Sequence, residues 1–510
     1  MENLSNTNDN LPRKKNILVI GAGLAGTTAA FALKRRGGRN CSVTVVDAGP
    51  DVAAVTSFAN AGRFCPTSVS FGSPAKKSSI QRTFLPTWVK TNFLKLPTYD
   101  TRAPYQHHMA VDFTRLTLLY WGVCNLFVQN KTRAKRGHQL IARQAQLSME
   151  ETLKGFSASS LAKMSVQPGT LYLFRDEAAL EAGKQKAALV NTKPTTYSMT
   201  TLDTARTVTR FPWLCDWKKV DSGEKEGALP LAVRVPGAVY VGSDWTADAR
   251  QFVKGLVTSD STVKFKFNTT ASIVDGNTVR LVDAKGGSDE VVEADVVVLA
   301  CGIYTNTLLP GGKRRLPMEG MRGFSIDLGG CAMADGGALP DVGIVDFSSG
   351  DLNFQLTPFG KNRVRIVGFA DFVGTEGMDR ARQDLESEGS PTSVLTNHVR
   401  FLFPSLTWES QRETWAGLRP MSPDNLPYVG RMAWEEGKAA GDVWVCCGHG
   451  STGWTSATAT AEVLAQTVFP PKEGATPEMA ELTEALRPDR FAAAFTGSRF
   501  ATVLDYVLGF

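Results

Sequence analysis

The stretch "ILVIGAGLAG", residues 17–26, followed by an alanine-rich segment and by "SVTVVD" at 42–47, restricts this chain more than any other feature. A short β-branched run without a charge reads as a strand buried on both faces, the mark of a parallel sheet. Gly21, Gly23 and Gly26 form GxGxxG directly after it, at the start of a helix that reads to Arg36. The first glycine allows the tight turn, the second lets a pyrophosphate approach the backbone, and the third lets helix and strand pack closely. The helix N-terminus offers free N–H groups and partial positive charge to the phosphates. Asp47 ends the second strand about 20 residues on, where a carboxylate grips a ribose 2′-hydroxyl and repels the 2′-phosphate of NADP. Strand, turn, helix, strand and acid in register predict dinucleotide binding and leave FAD and NAD both open.

At 510 residues the chain exceeds one compact domain, and 43% hydrophobic with 21% charged residues describes a globular protein with a large core. A net charge of +6 without a dominant basic stripe argues against nucleic acid as a partner. Eight cysteines without a CxxC pair and five histidines without ligand spacing predict no metal and no disulfide framework, and fit a reducing compartment, cytoplasmic or mitochondrial. Residues 1–15 are polar and are expected to form a disordered arm, neither signal nor transit peptide. The longest apolar run, Leu116 to Val128, is shorter than the roughly 20 residues of a membrane span.

Two further apolar runs end in glycine, "VVVLACG" at 296–302 and "VWVCCGHG" at 443–450, the latter followed by an alanine- and threonine-rich helix over 455–468. Such elements near both ends and in the middle predict an α/β fold with a discontinuous Rossmann-like domain, residues 16–75, 240–311 and 413–468. A substrate domain, α+β with an antiparallel sheet, is inserted as 76–239 and 312–412, and 469–510 form a tail. "TSFANAG", 56–62, suits a loop over phosphate or flavin, and an ordinary polar loop is the alternative. In "CGHGSTGWT", 447–455, Gly448, Gly450 and Gly453 let the backbone approach a flat ligand, and the next helix aims its N-terminus at it. Arg419, in "TWAGLRPMSPDNLPYVG", stands among apolar and small residues. It must face water, pair with an acid such as Asp424, or wait for a ligand that carries a carboxylate.

The segments VIGAGLAG, TSFANAG, ACGIYTN, GLRPMSPDNLPYVG and GHGSTGWT occur in the order found in FAD-dependent D-amino-acid oxidase-like enzymes. The chain resembles most the small subunit of bacterial-type D-amino-acid dehydrogenase, over roughly residues 16 to 465. "GTLYLFRDE" (169–177) and "KFKFNTTASIV" (264–274) are similar to that group as well, whereas 185–235, 376–395, the N-terminal arm and the long tail depart from it. The resemblance implies non-covalent FAD, held by Gly21, Gly23, Gly26, Asp47, Ser57, Asn60, Ala61, Gly62, Ala271, Ala300, Gly302, Gly448, Gly450, Ser451, Gly453, Trp454 and Thr455. Cys65 and Cys301 are thiols near enough for a covalent link, which is not expected.

It also implies oxidative deamination of D-amino acids to 2-keto acids and ammonia by hydride transfer to flavin, with a quinone-type acceptor or oxygen taking the electrons. Arg419, in the GxRP motif, then holds the substrate carboxylate, and the backbone carbonyl near Ser451 accepts from the amine. Tyr304 lies near the ring or serves packing, and His449 contributes backbone rather than acid–base chemistry. A glycine-, sarcosine- or proline-type amine oxidase of the same fold is the second reading. A catalytically silent flavin-binding assembly factor is the third. Residues 113–137, aromatic and then basic, could rest on an anionic membrane surface, and a core helix with a solvated basic end is the alternative.

Overall fold

The computed structural model describes residues 14–72, 131–214, 236–309, 316–346, 352–372, 390–432 and 442–491, apart from positions 175, 194–195, 285, 288 and 335. The N-terminal arm and most of the 113–137 stretch lie outside them. At the centre of a six-stranded sheet is Lys15–Ile20, paired in parallel with Cys41–Val46 on one side and Val296–Leu299 on the other. Lys264–Lys266 extends the first side, Val443–Cys447 the second, and Tyr428–Arg431 closes that edge antiparallel. Burial on both faces is what the uncharged runs require, and Val19, Val45 and Val298 are completely buried.

The helix Leu24–Gly37 follows the glycine turn and packs against Gly453–Val468. Small residues make that contact close, and the Thr28 hydroxyl lies 3.4 Å from the Ala457 carbonyl. Lys131–Lys154 and Pro477–Ala485 join the same layer, burying Ile141, Ala145, Met149, Met479 and Leu482 in one apolar cluster with Leu33 and Trp454. Two arginines at the basic start of Lys131–Lys154 are paired within the protein: Arg133 donates to Glu484 and Arg136 to Glu481. Among the described residues no helix is long and apolar enough to cross a membrane.

The second large sheet runs in the order Ser410–Met421, Glu319–Gly329, Arg363–Phe372, Phe354–Phe359, Gly343–Asp346, Gln167–Leu173, Gly237–Thr246 and Arg63–Phe64. Its strands pair antiparallel except Gly343–Asp346 against Gln167–Leu173, so the sheet expected to be antiparallel is mixed. One face carries Phe324, Ile326, Ile344, Leu356 and Ile366, which form a core with Leu395, Val399 and Leu402 of the helix Pro391–Leu402. The opposite face carries Ser325, Asp327, Gln355, Thr357 and Arg365, and the last two hold loop 56–62 of the first layer.

The limits between the two parts differ from those expected. Arg63–Phe64, Gly237–Thr246 and Ser410–Met421 are strands of the larger sheet, against the expectation that 16–75, 240–311 and 413–468 belong to the nucleotide side. Conversely, Lys131–Lys154, within 76–239, and Pro477–Ala485, within the tail, pack into the core of the first layer. Apolar runs and glycine punctuation mark where a strand or helix lies. They do not reveal which sheet it joins, because that depends on partners hundreds of residues away.

Candidate active site

The glycine turn has the shape the motif requires. Gly21 adopts φ +109°, and a Cβ there would lie 2.6 Å from the Ala300 carbonyl oxygen. A Cβ on Gly26 would fall 1.9 Å from the Gly21 oxygen, so helix and strand approach as only glycine permits. Gly23 caps the helix with no side-chain hydrogen bond, and the first turn carries no acid. Asp47 ends its strand beside this turn. Its Oδ2 accepts from the Ala22 amide at 2.6 Å and its Oδ1 from the Gly49 amide at 2.7 Å, and each oxygen retains a lone pair for a ribose hydroxyl. Ala271 follows closely, because the Thr269 amide donates to the Asp47 carbonyl. A helix start whose cap residue is glycine, further glycines at the closest approach and a nearby carboxylate acceptor are the groups FAD needs for its pyrophosphate and ribose.

The loop 56–62 joins both sheets. Ser57 Oγ accepts from the Leu24 amide at 2.9 Å, which fixes the loop to the helix start. Asn60 turns its own chain, accepting from the Gly62 amide at 2.7 Å. Gly62, at φ +71°, has no room for a Cβ between the Ala247 oxygen and the Phe359 ring. From the larger sheet, the Thr357 hydroxyl donates to the Ala61 carbonyl at 2.6 Å, and Arg365 Nη1 donates to the carbonyls of Phe58 and Asn60.

Arg419 lies near the end of Ser410–Met421, opposite Met321. Its Nη1 donates to the Phe369 carbonyl at 3.0 Å and lies 3.4 Å from the Arg322 carbonyl. A bulge places Phe369 and Ala370 opposite Gly323, and Phe369 takes φ +64°, unusual for a bulky residue. Strain of this kind is held by its surroundings and gathers at functional sites. Gly323 completes the cradle, since a Cβ there would lie 2.3 Å from the guanidinium. Asp424, the acid considered as its partner, instead gives both oxygens to Arg490 at 2.8 and 2.9 Å, deep in the protein.

Three loops meet at this strand. Thr56 Oγ1 donates to the Leu418 carbonyl, Met421 bridges His449, and the turns Gly302–Tyr304 and Gly450–Thr452 both touch it. Gly448 and Gly450 adopt φ +74° and +54°, and a Cβ on Gly302 would meet no atom within 4 Å, which leaves room beside that turn. The Ala300 amide donates to the Ile20 carbonyl at the floor of the glycine turn. Ser451 is exposed in its turn, and Tyr304 is 41% exposed. Gly453 begins the helix Gly453–Val468.

Two predicted residues turn their side chains into the interior. Trp454 is buried against Trp245 and Phe252. Thr455 Oγ1 accepts from the Cys65 amide at 2.9 Å, tying the C-terminal loop to the chain after loop 56–62. Their contribution to the site is packing and alignment, with only their backbone at the helix start. His449 is buried, its Nε2 lies 2.9 Å from the Thr460 hydroxyl, and burial pushes its pKa down to about 4, so it is neutral at physiological pH. Burial raises the Cys65 thiol and pushes Cys301 up to about 12, which favours the neutral thiol at both.

Residues not singled out from sequence carry the surrounding contacts: Phe369 accepts from Arg419, Arg365 with Asp327 holds loop 56–62, and Arg63 joins Gln355 and Tyr172 just after that loop. Arg63 directly follows the TSFANAG motif, which is the one signal that could have marked it. The others lie in strands whose neighbours only the fold supplies.

Residues 16–467 match the family model described as DAO, FAD dependent oxidoreductase. The chain is 28% identical over 460 residues to D-amino acid dehydrogenase of Neisseria gonorrhoeae, covering 89% of this chain and 95% of that one. Among solved structures, L-proline dehydrogenase from P. horikoshii aligns with TM-score 0.57 at 16% identity, over 95% of this chain and 99% of that one. Glycine oxidase from Geobacillus kaustophilus gives 0.56 at 17%, over 91% and 96%. L-alpha-glycerophosphate oxidase from Mycoplasma pneumoniae, with FAD bound, gives 0.58 at 16%, over 91% and 97%. These structures share the fold, with FAD seated in one of them, and the family match spans the glycine turn, the three loops and Arg419. The chain therefore belongs to the DAO family of FAD-dependent oxidoreductases.

Proposed function

We propose that this oxidoreductase deaminates D-amino acids, with Arg419 as the ligand of the substrate α-carboxylate. The observation that carries this is the position of Arg419: a guanidinium held by main-chain carbonyls, where loops 56–62, 302–304 and 448–452 converge. Carbonyls fix the orientation of the guanidinium, and the two parallel acceptors of a carboxylate docked on it then set the direction of the Cα–H bond. The Ser451 carbonyl is the proposed acceptor for the substrate amine. Neutral His449 supports that loop without taking a proton. Bound FAD supplies the two-electron chemistry, and the chain's residues bind, orient and desolvate. The amino acid leaves as an imine, which water converts to 2-keto acid and ammonia.

The test is anaerobic addition of D-alanine, and of L-alanine in parallel, to the purified holoenzyme while the flavin spectrum is followed. Bleaching by the D-isomer supports the proposal, and admitting air then separates oxygen from a quinone-type acceptor. Bleaching by sarcosine, glycine or proline alone would move the substrate to those amines. A flavin indifferent to every amine would favour a silent, scaffold-like protein. Arg419→Ala should retain FAD and lose about 3–5 kcal/mol in apparent kcat/KM. Unchanged kinetics in that variant would remove Arg419 from the role.

A further inference from the structure

We propose that Arg63 binds a second carboxylate, on the substrate's side chain, so that the preferred substrates are acidic amino acids of the aspartate and glutamate type. The inference rests on the reading of Arg419 as the α-carboxylate ligand.

Arg63 follows Gly62 without a gap, and two residues later Cys65 is tied to Thr455. It therefore stands between the two glycine-containing loops that bracket the flavin site. It is half-buried, with its guanidinium set against Gln355 and Tyr172. Nη1 donates to Gln355 Oε1 at 3.2 Å, and Nη2 donates to the Tyr172 phenol. The guanidinium lies over the Tyr172 ring, and Ser68 Oγ lies 2.6 Å from the phenolic oxygen. Nε is buried without a hydrogen-bond partner.

Its hydrogen-bond partners are thus neutral, and among the described residues no carboxylate is within ion-pair distance of it. Asp244 is the acid whose charge it senses, but Asp244 accepts instead from the Thr67 amide at 3.2 Å. Burial pushes Asp244 up to about 6, which weakens it as a counter-ion.

Arg63 and Arg419 address one face of one sheet. Arg419 pairs with Met321, and Met321, Gly323 and Ser325 alternate onto the same side of their strand. Ser325 pairs with Val367, Val367 with Gln355, Gln355 with Val345, and Val345 with Tyr172. The side chains that hold Arg63 therefore share the face that presents Arg419, with Gly323, Ser325 and Val367 between them. A half-buried cation whose hydrogen-bond partners are neutral gains from a direct counter-ion, and a ligand carboxylate supplies one. The phenol and the amide keep the planar group oriented for it. A neutral substrate side chain would leave that charge unanswered, which is how a site selects by loss rather than by gain.

The holoenzyme should be reduced anaerobically with aspartate, glutamate, alanine and leucine, each as both isomers, in wild type, Arg63→Met and Arg63→Lys. In parallel, flavin absorbance should be titrated with succinate and with propionate, which report binding without turnover. The acidic substrates should exceed the neutral ones in kcat/KM on the order of 100-fold, Arg63→Met should erase that ratio, and Arg63→Lys should restore part of it. Succinate should perturb the flavin more tightly than propionate in wild type and lose that advantage in Arg63→Met. A wild-type preference for alanine or leucine, or an equal loss for both classes in Arg63→Met, would overturn the proposal. Reduction by no amino acid would sink the Arg419 reading. The titration then decides Arg63 by itself: a lost succinate advantage in Arg63→Met upholds the anion site, and no advantage in wild type refutes it.

Discussion

Arg365 and Arg63 reach the same face of the larger sheet, and their surroundings are opposites. Arg365 is 2% exposed, and its Nε and Nη2 hold both oxygens of Asp327 at 2.6 and 2.9 Å, while Nη1 serves two loop carbonyls. Its charge is answered inside the protein, and its work is to carry loop 56–62. Arg63, at the end of that loop, is held by a phenol and an amide. A structural arginine brings its own acid, whereas one meant for a ligand is steadied by neutral groups and keeps its charge available. The largest expected effect tests the closed member. Arg365→Met strands Asp327 in the interior and frees two loop carbonyls, and should destabilise by about 3–5 kcal/mol in urea unfolding, with loss of FAD. The double variant with Asp327→Leu should recover most of the stability. A single variant as stable as wild type would mean that burial of this pair does not hold the loop.

How legible each half of the molecule was follows from the same contrast. The glycine turn, Asp47 and loop 56–62 could be read from sequence because their chemistry is local. A strand, a turn, a helix and an acid lie together within residues 17–47, and glycine is demanded at Gly21 and Gly26 by contacts that no side chain tolerates. The strand of Arg419 was legible through one motif. What cradles its guanidinium was not, since Phe369 lies 50 residues before it and Gly323 further still, and neither carries a mark in sequence. Trp454 and Thr455 read as part of a flavin loop because they adjoin its glycines. The fold turns their side chains into the core, since the first turn of a buried helix needs packing as much as it needs a ligand. Arg63 and Arg365 cannot be told apart in sequence at all, because Asp327 and Tyr172 become their neighbours only when the sheet forms.

Two further closed groups lie under the C-terminal loop and extend the comparison. His449 has a folded pKa of about 4 against an ordinary 6.5, so the unfolded chain binds its proton first. Stability should therefore fall as pH drops from about 6.5 to 4, reaching about 3 kcal/mol at the lower limit. His449→Gln should flatten that part of a pH series of urea melts. An unaltered acid limb would assign it to other groups. A smaller effect is expected at Thr455: Thr455→Val leaves the buried Cys65 amide without its acceptor, at a cost of about 1–3 kcal/mol. If the variant unfolds with wild-type energetics, the two flavin loops are not coupled through this bond.

The smallest effect should come from the open member. Arg63→Met gives up two hydrogen bonds to neutral groups and removes a desolvated charge, and these changes oppose each other. At pH 5 the variant should lie within about 1 kcal/mol of wild type, because Asp244, titrating near 6, is then largely protonated and offers Arg63 little. Asp244 has a folded pKa above its ordinary 3.8, so its protonated form favours the folded state and that contribution is lost as pH rises through about 6. Removing the Arg63 charge pushes this pKa higher still, since the guanidinium lowers it. The variant should therefore fall behind wild type as pH rises from 5 to 8. Melts at the two pH values decide the matter. A large deficit already at pH 5 would make Arg63 a closed group like Arg365, and equal stability at both would show that Asp244 does not sense it.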